Sequence, residues 1–149
     1  MKKIFIYYSH TENGDLVAKQ LKERGFDIRK VIKKKPLPKS FFWSVMTGGF
    51  LAGINHKDKL KDFDDNIEEY DEVVIGSPIW NAKFSAPINT VLSQIDVSNK
   101  IVSFILYSGS GEAPKAIERI KREYPNSNYV VLKEPKKYDE ELEKLKILE

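Results

Sequence analysis

The chain contains no cysteine and only two histidines, and no apolar run in it reaches membrane-spanning length. Without cysteine, disulfide bonds and thiolate chemistry are excluded. His10 and His56 are far apart in the sequence and give no metal-ligand spacing, so no metal site is predicted. A membrane helix needs about 18 consecutive apolar residues. We therefore expect no membrane span and, by default, a cytoplasmic location.

The length of 149 residues and the hydrophobic content of 41% are typical of one folded domain, which we place at 1–149. The first residues, MKKIFIYY, begin with lysines and apolar residues as a signal peptide does. Their apolar part is short and leads directly into a polar loop, so it predicts a strand instead.

Charge is well mixed along the chain, with a net value of +3. One local bias stands out, because six basic residues and no acidic residue lie between Arg29 and Lys39. A solvated strand end and loop explains this bias, and a docking patch for an acidic partner or a phosphate is the alternative. No aromatic residues are interleaved with these lysines and no recognition motif follows, so a nucleic-acid partner is not predicted.

Short apolar strands alternate with helical patterns along the chain, which favours a parallel sheet with helices on both faces. We predict a doubly wound α/β fold with a five-stranded parallel sheet in the order 2-1-3-4-5. The predicted strands are 3–8, 26–32, 72–77, 100–107 and 128–132, and the predicted helices are 14–24, 85–95, 112–123 and 138–147.

Local signals mark several element ends. Gly25 suits the position after the first helix, Ser85 suits a helix N-cap, and Glu140 and Lys144 form an i, i+4 pair in the last helix. A further helix, bent near Gly48, is predicted from an apolar stripe of residues spaced by four, which we interpret as a cap over the core, with a dimer contact or a lid as alternatives. The stripe consists of Phe42, Met46, Phe50 and Ile54.

Three loops should meet at one edge of such a sheet, because ligands bind beyond the carboxyl ends of parallel strands at the switch point in their order. The first loop joins a strand to a helix N-terminus, where backbone N–H groups favour an anion such as a phosphate. It lacks the Gly-Lys-Ser/Thr ending of a nucleotide P-loop and the glycine pattern of a dinucleotide turn. Its residues are Ser9, His10, Thr11, Glu12, Asn13 and Gly14.

The other two loops offer hydroxyls, glycines and two large aromatic rings, but no carboxylate pair, Ser-His-Asp set or metal cluster. This set suits a planar cofactor that carries a phosphate better than proton chemistry by side chains. The candidate residues are Pro78, Ile79, Trp80, Asn81 and Ala82 in one loop, and Tyr107, Ser108, Gly109, Ser110 and Gly111 in the other.

In three segments, taken in order and at these separations, the chain resembles the flavodoxin family over nearly its whole length. The segments are IFIYYSHTENGDLVA, VVIGSPIWNAKFSAPINTVL and FILYSGSGEAPKAIERI. The resemblance implies non-covalent binding of FMN. It assigns the phosphate to Ser9, Thr11, Asn13, Gly14 and the N–H groups from His10 to Asp15. It also assigns one flavin face to Pro78, Trp80, Asn81 and Ala82, and the other flavin edge to Ser108–Gly111.

The chain departs from the family pattern in its phosphate loop, which usually runs Ser/Thr-x-Thr-Gly-x-Thr. Glu12 replaces the glycine, and a carboxylate about 5 Å from a phosphate repels it by about 3 kcal/mol per unit of phosphate charge at an effective dielectric near 20. Gly14 replaces the last threonine and removes one hydroxyl. We expect FMN binding to be weaker than is typical of the family, but present.

A second departure concerns the peptide that rotates toward reduced flavin in electron-carrying members. It needs a residue that tolerates positive φ, and Asn81 and Ala82 tolerate it less well than glycine. We therefore expect weaker stabilisation of the one-electron-reduced flavin.

Three functions follow from these observations. The first is an FMN-binding electron carrier, with Trp80 and Tyr107 flanking the flavin and a redox partner protein at its exposed edge. The second is an FMN-dependent NAD(P)H oxidoreductase acting on quinones or similar acceptors, in which Lys39 and Lys83 meet the nucleotide phosphate. The third is a non-redox binding module that has lost the flavin. A response-regulator receiver is rejected, because Ser9, His10 and Ser77 stand where its acidic residues would be.

Overall fold

The computed structural model describes residues 1–34, 57 and 59–148. The predicted helix with the Phe42–Ile54 stripe, Lys39 and His56 lie outside the described residues. The elements in chain order are β1 (Lys3–Tyr7), α1 (Asn13–Glu23), β2 (Asp27–Lys30), β3 (Glu72–Trp80), β4 (Lys83–Phe84), α2 (Ala86–Gln94), β5 (Ile101–Ser108), α3 (Pro114–Glu123), β6 (Asn128–Lys133) and a closing 3₁₀ helix (Asp139–Leu148).

Five parallel strands form the sheet in the order β2-β1-β3-β5-β6. This confirms the predicted doubly wound fold. The predicted strands one to five are β1, β2, β3, β5 and β6. The additional strand β4 pairs antiparallel with the end of β3 and lies off the main path.

Hydrophobic side chains cover both faces of this sheet, because successive residues of a strand point to opposite sides. Along β1, Ile4 and Ile6 belong to one buried cluster, and Phe5 and Tyr7 belong to the other. Helix α1 packs on the second cluster, whereas α2 and α3 pack on the first. Nearly continuous apolar strands are the expected result when both faces are covered.

Gly25 follows the end of α1 in the C′ position, as the sequence predicted. Gly25 has φ of +89°. Its N–H donates to the carbonyl of Lys22 at 3.0 Å, and the Phe26 N–H donates to the carbonyl of Leu21 at 3.0 Å. These two bonds form a Schellman motif, and Phe26 and Leu21 pack together in the same buried cluster.

The hydroxyl of Ser85 does not cap α2, although Ser85 occupies the N-cap position. Its Oγ lies 3.1 Å from the Oγ of buried Ser77, and the Ser85 N–H donates to that same oxygen at 3.1 Å. The predicted N-cap position of Ser85 is therefore confirmed, but its side chain makes no capping hydrogen bond. The serine pair instead ties the start of α2 to β3.

The predicted closing helix is present and is a 3₁₀ helix. In a 3₁₀ helix, residues three apart lie on one side. Lys144 accordingly pairs with Glu141 at 2.6 Å, and the predicted pair with Glu140 is wrong.

Strand β3 is longer than predicted and runs to Trp80, because its last residues pair with β4. The connection is a two-residue hairpin turn at Asn81 and Ala82, with φ of 52° and 61°. Two positive φ values are typical of the type I′ turn, for which Asn-Gly is the preferred sequence. Ala82 thus holds a conformation that an alanine side chain disfavours.

Replacing Gly25 with alanine should lower the free energy of unfolding by about 1 kcal/mol, because a Cβ is disfavoured at positive φ. Urea unfolding measures this change. Gly109→Ala is the matched control, since a Cβ there meets no atom within 4 Å and its φ is not positive. Equal effects of the two substitutions would contradict the assignment of the helix end.

Replacing Ala82 with glycine should raise the free energy of unfolding by about 0.5–1 kcal/mol, because it relieves the left-handed strain at the turn. The control is Ala18→Gly inside α1, which should destabilise the protein. Thermal or urea unfolding of both variants checks the opposite signs. Destabilisation by Ala82→Gly would mean that the turn does not hold positive φ.

Candidate functional site

The three predicted loops leave the sheet at one edge. Strands β1, β3 and β5 are neighbours, and Tyr7 pairs with Gly76, which in turn pairs with Ile105. Their carboxyl ends therefore lie side by side, and the loop that follows each one enters the same region. Most of the predicted site residues are exposed or half-buried; Gly14, Tyr107 and Ser108 are buried.

The first loop, which we call the phosphate loop (Ser9–Gly14), closes on itself. The Oγ of Ser9 accepts the Gly14 N–H at 3.0 Å and donates to the Thr11 carbonyl. The Asn13 amide donates to Thr11 Oγ1 at 3.1 Å. Ser9 is thus occupied in shaping the loop, and the exposed Thr11 hydroxyl remains able to donate outward.

At the start of α1, the side chain of Glu12 in the N-cap position accepts no N–H of the helix, and only the Gly14 N–H is taken by a side chain, that of Ser9. The first N–H groups of an α-helix have no acceptor within the helix. Together with the helix dipole they form an anion seat. The donor set of this seat is backbone N–H groups and hydroxyls, which suits a phosphate.

Gly14 is packed directly against tyrosines. A Cβ on Gly14 would lie 2.7 Å from the Tyr107 hydroxyl, 2.8 Å from Ser9 Cβ and 2.8 Å from the Tyr7 ring. These contacts explain why no threonine side chain stands there, and why the family hydroxyl at this position is missing. The glycine lets the start of α1 settle onto the sheet edge.

Tyr107 lies beneath the phosphate loop. Its side chain is only 4% exposed, and its hydroxyl donates to the Tyr8 carbonyl. Burial raises the pKa of the Tyr107 phenol well above its usual value. The ring has no free face for a ligand, so the expectation that Tyr107 flanks a flavin is wrong; it supports the loop from below.

A second polar group lies beside the loop at Asp15. Tyr7 donates to Asp15 Oδ1 at 2.6 Å, and Lys30 Nζ lies 2.8 Å from the same oxygen. Burial alone would raise the pKa of Asp15, but the bonds from Lys30 and Tyr7 hold it below its ordinary value. The carboxylate is therefore ionised at neutral pH, with its charge balanced by Lys30.

Glu12 points toward the turn that follows β6. Its Oε2 lies 2.6 Å from Lys136 Nζ. The Lys136 N–H also donates to Asn13 Oδ1 at 2.9 Å. Glu12 thus has a neutralising partner at the phosphate loop, which the sequence analysis missed. One signal was present in the sequence, because the carboxyl end of β6 lies at the same sheet edge and Pro135-Lys136-Lys137 follows it.

Trp80 stands at the end of β3 among aromatic neighbours. Its ring is edge-on to Tyr8, with centroids 5.9 Å apart, and edge-on to His10 at 6.5 Å. Burial and nearby Lys33 lower the pKa of His10, which favours a neutral ring at pH 7. The half-buried Trp80 is the aromatic ring of the three loops best placed to stack on a planar ligand.

The third loop is braced by its own hydroxyls. The Ser108 Oγ donates to the Glu112 carbonyl at 2.7 Å, and the Glu112 N–H donates to Ser110 Oγ at 3.2 Å. Gly109 and Ser110 are exposed at its tip. Gly111 has φ of 81°, and a Cβ there would lie 3.4 Å from Lys133. The loop therefore offers mainly backbone groups to a ligand.

Neither a metal site nor a membrane helix is found in the part of the chain that the structure describes. Within those residues no group of three or more His, Asp or Glu side chains is arranged to hold a metal. No helix among them has the length and apolar character that crossing a membrane requires.

Comparison with solved structures identifies flavoproteins of the same fold. A provisionally assigned flavoprotein of Bacteroides eggerthii matches with a TM-score of 0.76 and 22% identity, covering 89% of this chain and 88% of that one. A flavoprotein of Lactobacillus acidophilus in complex with FMN matches with a TM-score of 0.68 and 18% identity, covering 93% and 97%. Oxidised flavodoxin 1 of Bacillus cereus matches with a TM-score of 0.53 and 15% identity, covering 97% and 91%.

At these identities the structures show the fold alone. A search of curated proteins gives no match. A sequence model described as flavodoxin matches residues 2–147, which is nearly the whole chain. The chain therefore belongs to the flavodoxin family.

Proposed function

We propose that this protein binds FMN and transfers electrons to or from a partner protein. The observation that carries the proposal is the convergence of a helix N-terminus without a cap from its N-cap side chain, a half-exposed tryptophan and a glycine-serine loop at the carboxyl edge of one parallel sheet. Flavodoxin-family membership and the FMN complex of the Lactobacillus acidophilus protein support the choice of flavin.

Each loop has a distinct role in this proposal. The N–H groups at the start of α1 and the Thr11 hydroxyl hold the phosphate, and Trp80 covers one face of the ring. Backbone groups of Gly109 and Ser110 meet the opposite edge. When bound, FMN supplies the electron-transfer chemistry, and the protein supplies binding and orientation.

From the sequence, we expected Asn81 and Ala82 to hinder rotation of the peptide near the flavin, because they tolerate positive φ less well than glycine. The conformation of the turn removes this steric argument. Both residues already hold positive φ, so this conformation is part of the folded hairpin. The Ala82 carbonyl accepts the Ala116 N–H at 2.9 Å and is fixed by α3. We infer that any peptide that responds to the redox state lies before this carbonyl, between Trp80 and Ala82.

FMN should bind at least tenfold more tightly than riboflavin, because hydrogen bonds to a charged phosphate contribute about 1.5–3 kcal/mol each. Calorimetric titration of the apoprotein with both flavins measures the difference. Thr11→Val should reduce the affinity for FMN several-fold and leave that for riboflavin unchanged. Equal affinities for the two flavins in the parent protein would contradict a phosphate seat in this loop.

A basic cavity favours a second candidate function, the FMN-dependent oxidation of NAD(P)H. The cavity has a volume of about 310 Å³ and lies beside the hairpin that carries Trp80. Arg119 is held in place there by Asn89 at 2.6 Å and by Glu123 at 2.9 Å. Its lining consists of Lys83, Phe84, Lys115, Ala116, Glu118, Arg119 and Arg122. Four cations around one cavity suit the phosphates of a pyridine nucleotide.

Stopped-flow mixing of the FMN-loaded protein with NADPH separates the two functions. An electron carrier should show no flavin bleaching within minutes. If bleaching is rapid, Arg122→Glu should raise the NADPH concentration for half-maximal rate about tenfold, because it replaces an attractive charge with a repulsive one. Lys121→Glu is the matched control, since Lys121 is exposed on the same helix and is not part of the cavity lining.

A further inference from the structure

The turn after β6, which we call the basic turn (Lys133–Tyr138), contacts the phosphate loop. The Glu134 N–H donates to the Ser108 carbonyl at 3.2 Å, which joins the turn to the end of β5. Within the turn, the N–H groups of Lys137 and Tyr138 donate to the Glu134 carbonyl at 2.8 and 2.9 Å. Glu134 has φ of 36° and Pro135 is buried, so the backbone of the turn is well defined.

Two contacts place Lys136 of this turn at the helix N-terminus. Its N–H donates to Asn13 Oδ1 at 2.9 Å, and Asn13 is the first residue of α1. Its ammonium group lies 2.6 Å from the Glu12 carboxylate. The backbone contact does not involve the charge, so Lys136 would stay beside α1 even if the ion pair opened.

Another carboxylate beside the seat already has a cationic partner. Lys30 neutralises Asp15, and burial and nearby Lys33 lower the pKa of His10. The remaining pair is Glu12 and Lys136, whose side chains are 69% and 58% exposed. A phosphate monoester brings between one and a half and two negative charges at about pH 7. It would be repelled by Glu12 and attracted by Lys136.

We propose that Lys136 is a phosphate-recognition residue of this site and that Glu12 is the counter-charge that limits its strength. The proposal rests on the proposed binding of FMN. It adds a charged side chain to the helix N–H groups and the phosphate-loop hydroxyl that hold the phosphate. An arriving phosphate competes with Glu12 for the ammonium group of Lys136. While no phosphate is bound, the ion pair therefore keeps the Lys136 ammonium group in position. When a phosphate is bound, Glu12 lowers the affinity of the site for it.

Opposite signs distinguish this role from a purely structural one. If the ion pair merely held the two loops together, removing either partner would weaken flavin binding in the same direction. If the charges act on the phosphate, Lys136→Gln weakens FMN binding and Glu12→Gln strengthens it. Riboflavin shares the ring and lacks the phosphate, so neither substitution should change its affinity.

The experiment titrates the full-length apoprotein and its variants with FMN and with riboflavin, following flavin fluorescence. Lys136→Gln should reduce FMN affinity about three- to tenfold, and Glu12→Gln should raise it about two- to fivefold, as expected for exposed charges acting on a dianion. Both effects should shrink between about 0.01 M and 1 M salt, because the Debye length falls from about 30 Å to about 3 Å.

The matched control is Lys146→Gln, which opens another exposed pair, with Glu143 at 2.7 Å. Lys146 follows Leu145, whose carbonyl accepts a bond from Arg24 at the opposite end of α1 from the phosphate loop. This variant loses the same charge and should bind FMN as the parent protein does. Circular dichroism verifies that each variant is folded.

Several outcomes would overturn the proposal. Weaker FMN binding in both Glu12→Gln and Lys136→Gln would show a structural pair, and equal changes for riboflavin and FMN would show an effect on the loop rather than on phosphate. An effect of Lys146→Gln as large as that of Lys136→Gln would show a general charge effect. A parent protein that binds neither flavin would overturn the proposed function itself, and this assignment with it.

Discussion

The close approach of α1 to the sheet edge at Gly14 is the constraint on which the rest of the site depends. Without a Cβ, the first turn of the helix lies on the rings of Tyr7 and Tyr107, where any side chain would come within 2.8 Å of three neighbours. The Tyr107 hydroxyl then ties β5 to the Tyr8 carbonyl, immediately before the phosphate loop. The anion seat is thus positioned by buried phenol rings beneath it.

Two ion pairs flank this anion seat and determine the local charge around it. On one side, Asp15 accepts from Tyr7 and Lys30, and on the other, Glu12 meets Lys136. Exposed ion pairs contribute little to folding stability. For the proposed binding of FMN, their importance lies in the local potential, since a phosphate would otherwise face two uncompensated carboxylates beside a helix N-terminus that carries only about half a positive charge.

Most of the fold could be predicted from the sequence because its signals are local. Alternating apolar strands and amphipathic helices gave the parallel sheet and its order, and Gly25 marked a helix end that the Schellman bonds confirm. The errors arose where a partner outside the element redirected a group. Ser85 bonds to Ser77 of β3 instead of capping its own helix, and β3 runs on to Trp80 because β4 pairs with it.

The sequence by itself determined the family, the doubly wound sheet and the edge at which its loops meet, since hydrophobic periodicity and loop chemistry are properties of contiguous residues. Only the tertiary structure decided which side chains remain accessible at that edge. It buried Tyr107 under the phosphate loop, left Trp80 partly exposed and brought Lys136 to Glu12. Residues separated by more than a hundred positions meet only when the parallel strands align their carboxyl ends, and no local pattern encodes such a contact.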